Sequence, residues 1–457
     1  MNPSDPKRYL AIDLGAESGR VMLATLTEDR LELEEVHRFS NGPLTVLGTL
    51  RWNLLRLWEE VLNGLKLVSA RKEAIRSISV DSWGVDYVLV RGVEPMLGPA
   101  YHYRDPRAME PYEALRKELG EAFIYQRTGV QFMTLNSLYQ LVADWKRDPE
   151  WMNGASFLMI ADWFHWMLSG RKTIEETNAS TTQLYDPVQR TWAWELIDRL
   201  ELPRTLFRYE VVPPGTILGS VTETVLEQMH LGNGVRKPEV VACCTHDTGS
   251  AVAAVPTHEG EEWAYLSSGT WSLIGVELAE PLINDGARKA NFTNELGFDR
   301  SVRFLRNIVG MWLLQECRRV WSEGGEDVSY AHLTDLAKEA DPLRSLIAPD
   351  DARFLSPGDM PSRIRQFCKE TGQPIPETFG QVARCIFESL ALLYAVRLAE
   401  LEILTGRSLR TLHIVGGGSR NGLLNQFAAD ATGRTVVAGP VEATAIGNVI
   451  VLSLIHI

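Results

Sequence analysis

Two carboxylates and two small-residue turns carry the chemistry that can be read from this 457-residue sequence. Asp13 closes an apolar run, residues 9–14. The turn Gly15-Ala16-Glu17-Ser18-Gly19-Arg20 follows, and a second apolar run ends at Leu26. A carboxylate beside a Gly/Ser turn, whose bare backbone N–H groups can face phosphate oxygens, suits a Mg²⁺ ion held through its water shell. It equally suits an Asp that only stabilises the turn. Ser18 adds a hydroxyl, and Arg20 adds either a bidentate phosphate contact or a surface ion pair. Asp247 follows the buried-strand pattern of residues 239–244 and precedes a short helical pattern, 248–255, ended by Pro256. With an ordinary aspartate pKa near 3.9 it is ionised at neutral pH and can take a proton from a hydroxyl as a phosphoryl group arrives. The adjoining helix start can stabilise negative charge on that group. A simple helix cap is the alternative for Asp247, and His246 is open to a contact role or a structural one.

The elements that must position these groups are written twice. Residues 263–278 repeat the grammar of residues 9–26, an apolar strand, a Gly/Ser/Thr turn carrying Thr270, and a second apolar strand. In each case the turn joins two strands of a hairpin, unlike the strand-to-helix turn of a dinucleotide-binding or P-loop fold. Two such hairpins facing each other can grip a polyphosphate, an arrangement similar to that of the actin, hexokinase and sugar-kinase superfamily. The expected fold is therefore α/β, two-domain and actin/hexokinase-like (ribonuclease H-like), with an interdomain catalytic cleft. The cut is placed at Pro256, giving domains 1–255 and 256–457, next to the acidic patch 259–262. Further strands are expected at 75–81, 302–305 and 409–415. Helices are expected at 138–146, 158–168, 309–320, 379–404 and 422–431, with 340–376 irregular and the Tyr/His/Arg-rich residues 100–107 a substrate loop. Gly416-Gly417-Gly418 after a strand marks a close approach to backbone, by an adenosine or by a tight turn. Asn421 either contacts that nucleotide or caps the next helix.

Length allows two cores with a ligand cleft, and 45% apolar with 23% charged residues is a globular composition. A net charge of −13 argues against nucleic acid or an anionic membrane surface as partner. Five cysteines, an odd number, read as reduced thiols. No apolar run is long enough to span a membrane and the first residues lack a signal-peptide pattern, so a cytoplasmic location is expected. Monomer or dimer stays open.

Taken together, DLGAESGR at Asp13, DSWGVDYVL at Asp81, TNASTTQLYD at Thr177, CTHDTGSAV at Cys244, YLSSGTWSLIG at Tyr265, NIVGMWLLQE at Asn307 and HIVGGGSRNGLLNQFAADA at His413 resemble the FGGY carbohydrate kinases. The match is ordered and covers nearly the whole chain. Within that family, the Trp-Gly-Val-Asp, His-Asp-Thr-Gly-Ser and Gly-Thr-Trp-Ser forms are similar to the rhamnulokinase branch. The resemblance implies ATP and Mg²⁺, a small-molecule ketose, and phosphorylation of L-rhamnulose at its C1 hydroxyl. It implies that Ala16, Glu17, Ser18, Gly19, Arg20 and Thr270 hold phosphates. Gln315 and Gly418 would line the nucleotide, and Asp247 would accept the proton; Gly417 and Asn421, from the glycine turn itself, are expected beside the nucleotide, and Asp13 at the metal. Gly84, His246, Thr248 and Asn307 would contact the sugar.

Two departures stand out. Leu296-Gly297 replaces a pair of glycines usual after Asn-Phe-Thr-Asn-Glu, and the family continues past a Gly-Asn like Gly447-Asn448 by roughly 30 residues. The residues after Val451 are accordingly expected to be foreign to the native frame, leaving apolar surface uncovered. Competing readings are a kinase for L-fuculose or xylulose, a non-catalytic sugar sensor of the same fold, and an actin-like ATPase.

Overall fold

The computed structural model describes residues 6–28, 30–230, 237–258 and 260–455. Glu259 of the acidic patch, and His456 and Ile457 at the end, lie outside the described residues. The chain divides into two compact units, Met1–Ala254 with Leu278–Arg303 and Thr444–Ile457, and Val255–Glu277 with Phe304–Ala443. A single cut was expected at 255/256, whereas the chain returns to the first unit twice after crossing near that point.

In the first unit, strands β1 (Lys7–Leu14) and β2 (Ser18–Leu26) pair antiparallel, with Leu14 opposite Gly19 and Asp13 opposite Arg20. Strand β3 (Leu31–Ser40) pairs antiparallel on the outside of β2. On the other side β4 (Ser77–Ser82) runs parallel to β1, followed by β5 (Thr216–Ser220) and β6 (Glu239–Ala242) in the order β5-β6-β4-β1-β2-β3. Tyr9, Leu10, Ala11 and Ile12 are all fully buried, so β1 is covered on both faces, which is why its sequence reads as a continuous apolar run. Helix α1 (Leu54–Ser69) starts where Asn53 caps the Arg56 N–H and buries Leu57, Val61, Leu65 and Val68 at helical spacing. Helix α2 (Ile160–Ser169) ends on Gly170 in the left-handed conformation, φ 76°. Helix α3 (Asp247–Ala253) leaves the loop after β6.

The second unit repeats this plan. Strands β7 (Trp263–Ser268), β8 (Trp271–Leu278), β9 (Val302–Val309), β10 (Thr411–Val415) and β11 (Thr435–Ala438) lie in the order β9-β8-β7-β10-β11. That is the order β3-β2-β1-β4-β6 of the first unit, with the central hairpin antiparallel and the following strands parallel. Helices α4 (Trp312–Glu323), α5 (Phe379–Thr405) and α6 (Gly422–Thr432) accompany it, α5 opening on a Thr378/Gln381 capping box. The last helix, α7 (Ala443–Leu454), buries Ala445, Val449 and Leu452 with Tyr9, Ala11, Met22, Ala24 and Val241 of the first unit.

Several expectations need correction. Leu158 and Met159 belong to a strand, Ser156–Met159, paired with Tyr87–Val90, because its backbone groups find partners there before α2 begins. Residues 340–376 contain a helix, Met360–Glu370, in which Pro361 sits in the first turn, where a missing N–H costs nothing, and Asp359 caps Ser362. Within residues 100–107, Tyr101, His102 and Tyr103 are buried, and His102 packs between Trp52 and Tyr103 with ring centroids 4.3 Å from each. The five cysteines are free and buried. Among the described residues no helix is long and apolar enough to cross a membrane.

Candidate active site

The parallel register of β1 and β4 places Asp13 beside Asp81, two carboxylates on neighbouring strands. Arg20, across the hairpin, ion-pairs with Asp13. Asp81 is fully buried, and Asn448 of α7 donates to its Oδ2 at 2.6 Å while Oδ1 has no hydrogen-bond partner. Burial pushes the Asp81 carboxyl well above the usual carboxylate range, with the Asp13 charge adding to it and the Asn448 hydrogen bond opposing. Asn448 can reach Asp81 because the residue before it is glycine: a Cβ on Gly447 would stand 1.7 Å from the Ser250 carbonyl oxygen. In the turn itself the Gly15 N–H donates to the Ser18 carbonyl at 2.9 Å, Asn41 holds Gly15 and Glu17 from outside, and Gly19 is packed on Phe39.

Asp247 is the first residue of α3, and its Oδ1 accepts from the Thr248 N–H at 2.6 Å and the Thr248 hydroxyl at 3.1 Å. His246, one residue earlier, takes the cap position. Asp247 keeps 31% of its side-chain surface exposed. The surrounding protein nonetheless raises its carboxyl pKa, His246 opposing and Asp13 reinforcing the rise. With only seven residues, α3 has little dipole to offer, so less stabilisation comes from it than the sequence suggested. His246 Nε2 lies 3.4 Å from Asp247 Oδ1, and a Cβ on Gly84 would stand 3.3 Å from that same Nε2 and 3.0 Å from the Thr181 hydroxyl. Gly84 thus leaves open the space that His246 and Thr181 border. The backbone before His246 is held by Glu175, whose carboxylate accepts from the Thr245 N–H (3.0 Å) and hydroxyl (2.7 Å) and from the Thr177 N–H (2.9 Å).

In the second unit the hairpin turn is neutral. Gln315 donates to the Thr270 hydroxyl at 3.3 Å, and the Met311 and Trp312 N–H groups donate to the Gly269 and Thr270 carbonyls. Gly418 abuts the other end of the turn, where its missing Cβ would come within 2.0 Å of the buried, unpartnered Ser268 Oγ. Gly417 opens the same short turn with no neighbour in reach of a Cβ. Asn421 spends its side-chain oxygen on capping the Leu424 N–H at 3.1 Å. Thr270, Gln315, Gly417 and Gly418 are therefore brought together. Asn307 lies on β9 of the second unit, whereas Gly84, His246 and Thr248 are in the first.

Models of the N-terminal and C-terminal domains of the FGGY family of carbohydrate kinases match residues 8–254 and 264–454. The chain belongs to that family. It is accordingly a carbohydrate kinase, a phosphotransferase with an alcohol acceptor. Among its relatives are a rhamnulokinase of Bacteroides thetaiotaomicron, 44% identical over 449 residues, 98% of this chain and 90% of that one. Another, from Oceanobacillus iheyensis, is 40% identical over 443 residues, 97% of this chain and 92% of the relative. Among solved structures, gluconate kinase from Lactobacillus acidophilus superposes with a TM-score of 0.80 at 13% identity, over 99% of this chain and 90% of that one. Plasmodium falciparum glycerol kinase with ADP gives 0.76 at 16% identity, over 99% and 90%. These likenesses confirm the two-domain α/β fold of the family.

Family kinases imply Mg²⁺, and the first unit's donor set fits it: two neighbouring carboxylates, one with a buried oxygen lacking a partner. Among the described residues no group of three or more His, Cys, Asp or Glu could hold a metal. Asp13 and Asp81 would then share the ion with phosphate oxygens and water, which is Mg²⁺'s preferred company. Sequence reasoning missed Asp81, Glu175, Thr181, Glu295, Arg303 and Asn448 as parts of the site. All but Thr181 and Arg303 are buried carboxyl or amide side chains, and Asp81 in DSWG is the one whose place at a strand end could have flagged it.

Proposed function

We propose that the chain transfers the γ-phosphoryl group of ATP to the C1 hydroxyl of L-rhamnulose, giving L-rhamnulose 1-phosphate and ADP, as a step of L-rhamnose breakdown in the cytoplasm. The supporting observation is the near full-length likeness to rhamnulokinases at 40–44% identity, joined to the half-buried carboxylate of Asp247 beside the space that Gly84, His246 and Thr181 border. The first unit, to which residues 278–303 and 444–457 also belong, takes the sugar and the base; the second takes the nucleotide. Asp247 accepts the C1 hydroxyl proton as the sugar oxygen bonds to phosphorus and the bond from phosphorus to the ADP oxygen breaks. Burial raises the Asp247 carboxyl pKa, which makes its ionised form a stronger base than an ordinary aspartate. His246, Thr248, Gly84 and Asn307 orient the ketose. Ala16 to Arg20 and Thr270 hold phosphates, and Gln315, Gly417, Gly418 and Asn421 line the nucleotide, the last through its backbone or amide nitrogen since its oxygen caps α6. Mg²⁺, when bound at Asp13 and Asp81, would neutralise phosphate charge.

The test is ADP formation by the full chain with Mg·ATP and, in turn, L-rhamnulose, L-fuculose, L-ribulose, D-xylulose, glycerol or no sugar. A rate strongly favouring L-rhamnulose is expected. Preference for another ketose replaces the substrate, and sugar-independent ADP release replaces the kinase reading with an ATPase.

A further inference from the structure

Arg303 is fully buried, an uncommon place for a guanidinium, and it meets the candidate site at His246. Its Nε and one terminal nitrogen donate to the Leu296 carbonyl at 3.1 Å each, and that same terminal nitrogen lies 3.1 Å from His246 Nδ1 and 3.2 Å from Glu295 Oε2. An arginine can only donate. Its contact with His246 is therefore a hydrogen bond when Nδ1 is the acceptor, which puts the ring proton on Nε2. Glu295 Oε2 also lies 3.2 Å from Nδ1 and would favour the opposite tautomer. Between the two, Arg303 has the hydrogen-bond geometry, and the Glu295 carboxylate finds its countercharge in Arg303. The other side of the ring, Nε2, faces the space that Gly84 leaves open and the Asp247 carboxylate at 3.4 Å.

We propose that Arg303, with its charge balanced by Glu295, is a positioning residue that holds His246 as an Nε2–H donor toward an oxygen of the acceptor sugar. The proposal rests on the reading of His246 as a sugar contact. At rest the Nε2 proton points to Asp247. A bound sugar oxygen takes it over, leaving the Asp247 carboxylate to receive the hydroxyl proton. A buried ion pair is no better for stability than apolar residues of the same volume, so the pair is explained by what it does to the histidine. The planar fork matters: Nε and a terminal nitrogen are locked on one carbonyl, which aims the guanidinium edge at Nδ1, and a lysine cannot reproduce that geometry.

The direct test is a long-range ¹H–¹⁵N correlation on the full chain carrying ¹⁵N-histidine, with His246 assigned by the signals lost in His246→Gln. The expected result in the sugar-free protein is the Nε2–H tautomer. The Nδ1–H tautomer or a doubly protonated ring overturns the proposal. Added L-rhamnulose should shift the His246 resonances; no shift, with the tautomer as expected, overturns the sugar contact on which the proposal rests while leaving the Arg303 geometry standing. In kinetics, Arg303→Met should raise the KM for the sugar about tenfold, the worth of one charge-assisted hydrogen bond. The KM for ATP should stay unchanged, and Arg303→Lys should recover part of the loss. A rise in both KM values together, tracking a fall in Tm, means a structural role and overturns it. The tautomer measurement needs neither Arg303 variant, so a variant that fails to fold leaves the proposal testable.

Discussion

In the first unit, the buried carboxylates Asp86 and Glu175 are held by neutral donors. Asp86 accepts from Trp52, Trp83, Gln140 and the Tyr103 N–H, and Glu175 from Thr177 and Thr245. In the second unit the buried Glu316 and Glu388 are each paired with an arginine, Arg319 and Arg384. The consequence shows in proton affinity. Burial pushes Asp86 up to about 6 and Glu175 up to about 7 against those hydrogen bonds. Neutral dipoles offset only part of the cost of desolvating a charge, whereas a guanidinium answers it directly. Asp86 and Glu175 of the first unit thus differ from Glu316 and Glu388 of the second in how their charge is met, and the difference is one of individual groups, since the first unit also pairs the buried Asp144 with Arg107 and the buried Glu176 with Arg190.

The contrast can be broken most severely at Asp247. Asp247→Asn is expected to slow phosphoryl transfer by ~10² to 10⁴, about 3 to 5 kcal/mol of barrier, with ATP affinity measured by calorimetry nearly unchanged. Near wild-type turnover would remove Asp247 from the base role.

Glu175 sharpens the comparison through pH. Its folded-state pKa, about 7, lies above the ordinary value of 4.5. The folded protein therefore holds a proton that the unfolded chain has lost, and stability from this group is fully present below about pH 4.5 and falls as pH rises through about 7. The loss is on the order of 3 kcal/mol, and urea unfolding across that window should show Glu175→Gln with a flatter decline than the parent. An unchanged slope would mean that Thr177 and Thr245 keep Glu175 ionised, and the contrast between the units would shrink.

The smallest expected effect is in the neutral turn. Gly418→Ala puts a Cβ against Ser268 Oγ and the Ser268 carbonyl oxygen, the latter at 2.9 Å, and should cost about 1 to 3 kcal/mol of stability. The KM for ATP should rise while that for the sugar holds. Equal changes in both would detach Gly418 from the nucleotide side.

Much of this was legible beforehand because it is local. Residues 9–26 and 263–278 announce their hairpins by apolar runs around small-residue turns, and Gly170 and Pro256 mark the ends of α2 and the α3 segment. Local pattern failed where tertiary partners decided. Leu158 and Met159 pair as strand with residues far upstream, and residues 360–370, within a stretch expected to be irregular, form a helix.

By itself, the sequence determined the repeated hairpins, the positions of Asp13 and Asp247 at strand and helix ends, and the family, because each is carried by residues close together along the chain. Only the tertiary structure decided that Asp81 stands beside Asp13 with Asn448 on its far oxygen, and that Arg303 and Glu295 converge on His246. Those contacts join segments separated by tens to hundreds of residues. Whether a buried polar group finds its partner depends on strand register and helix placement, which no spacing along the chain encodes.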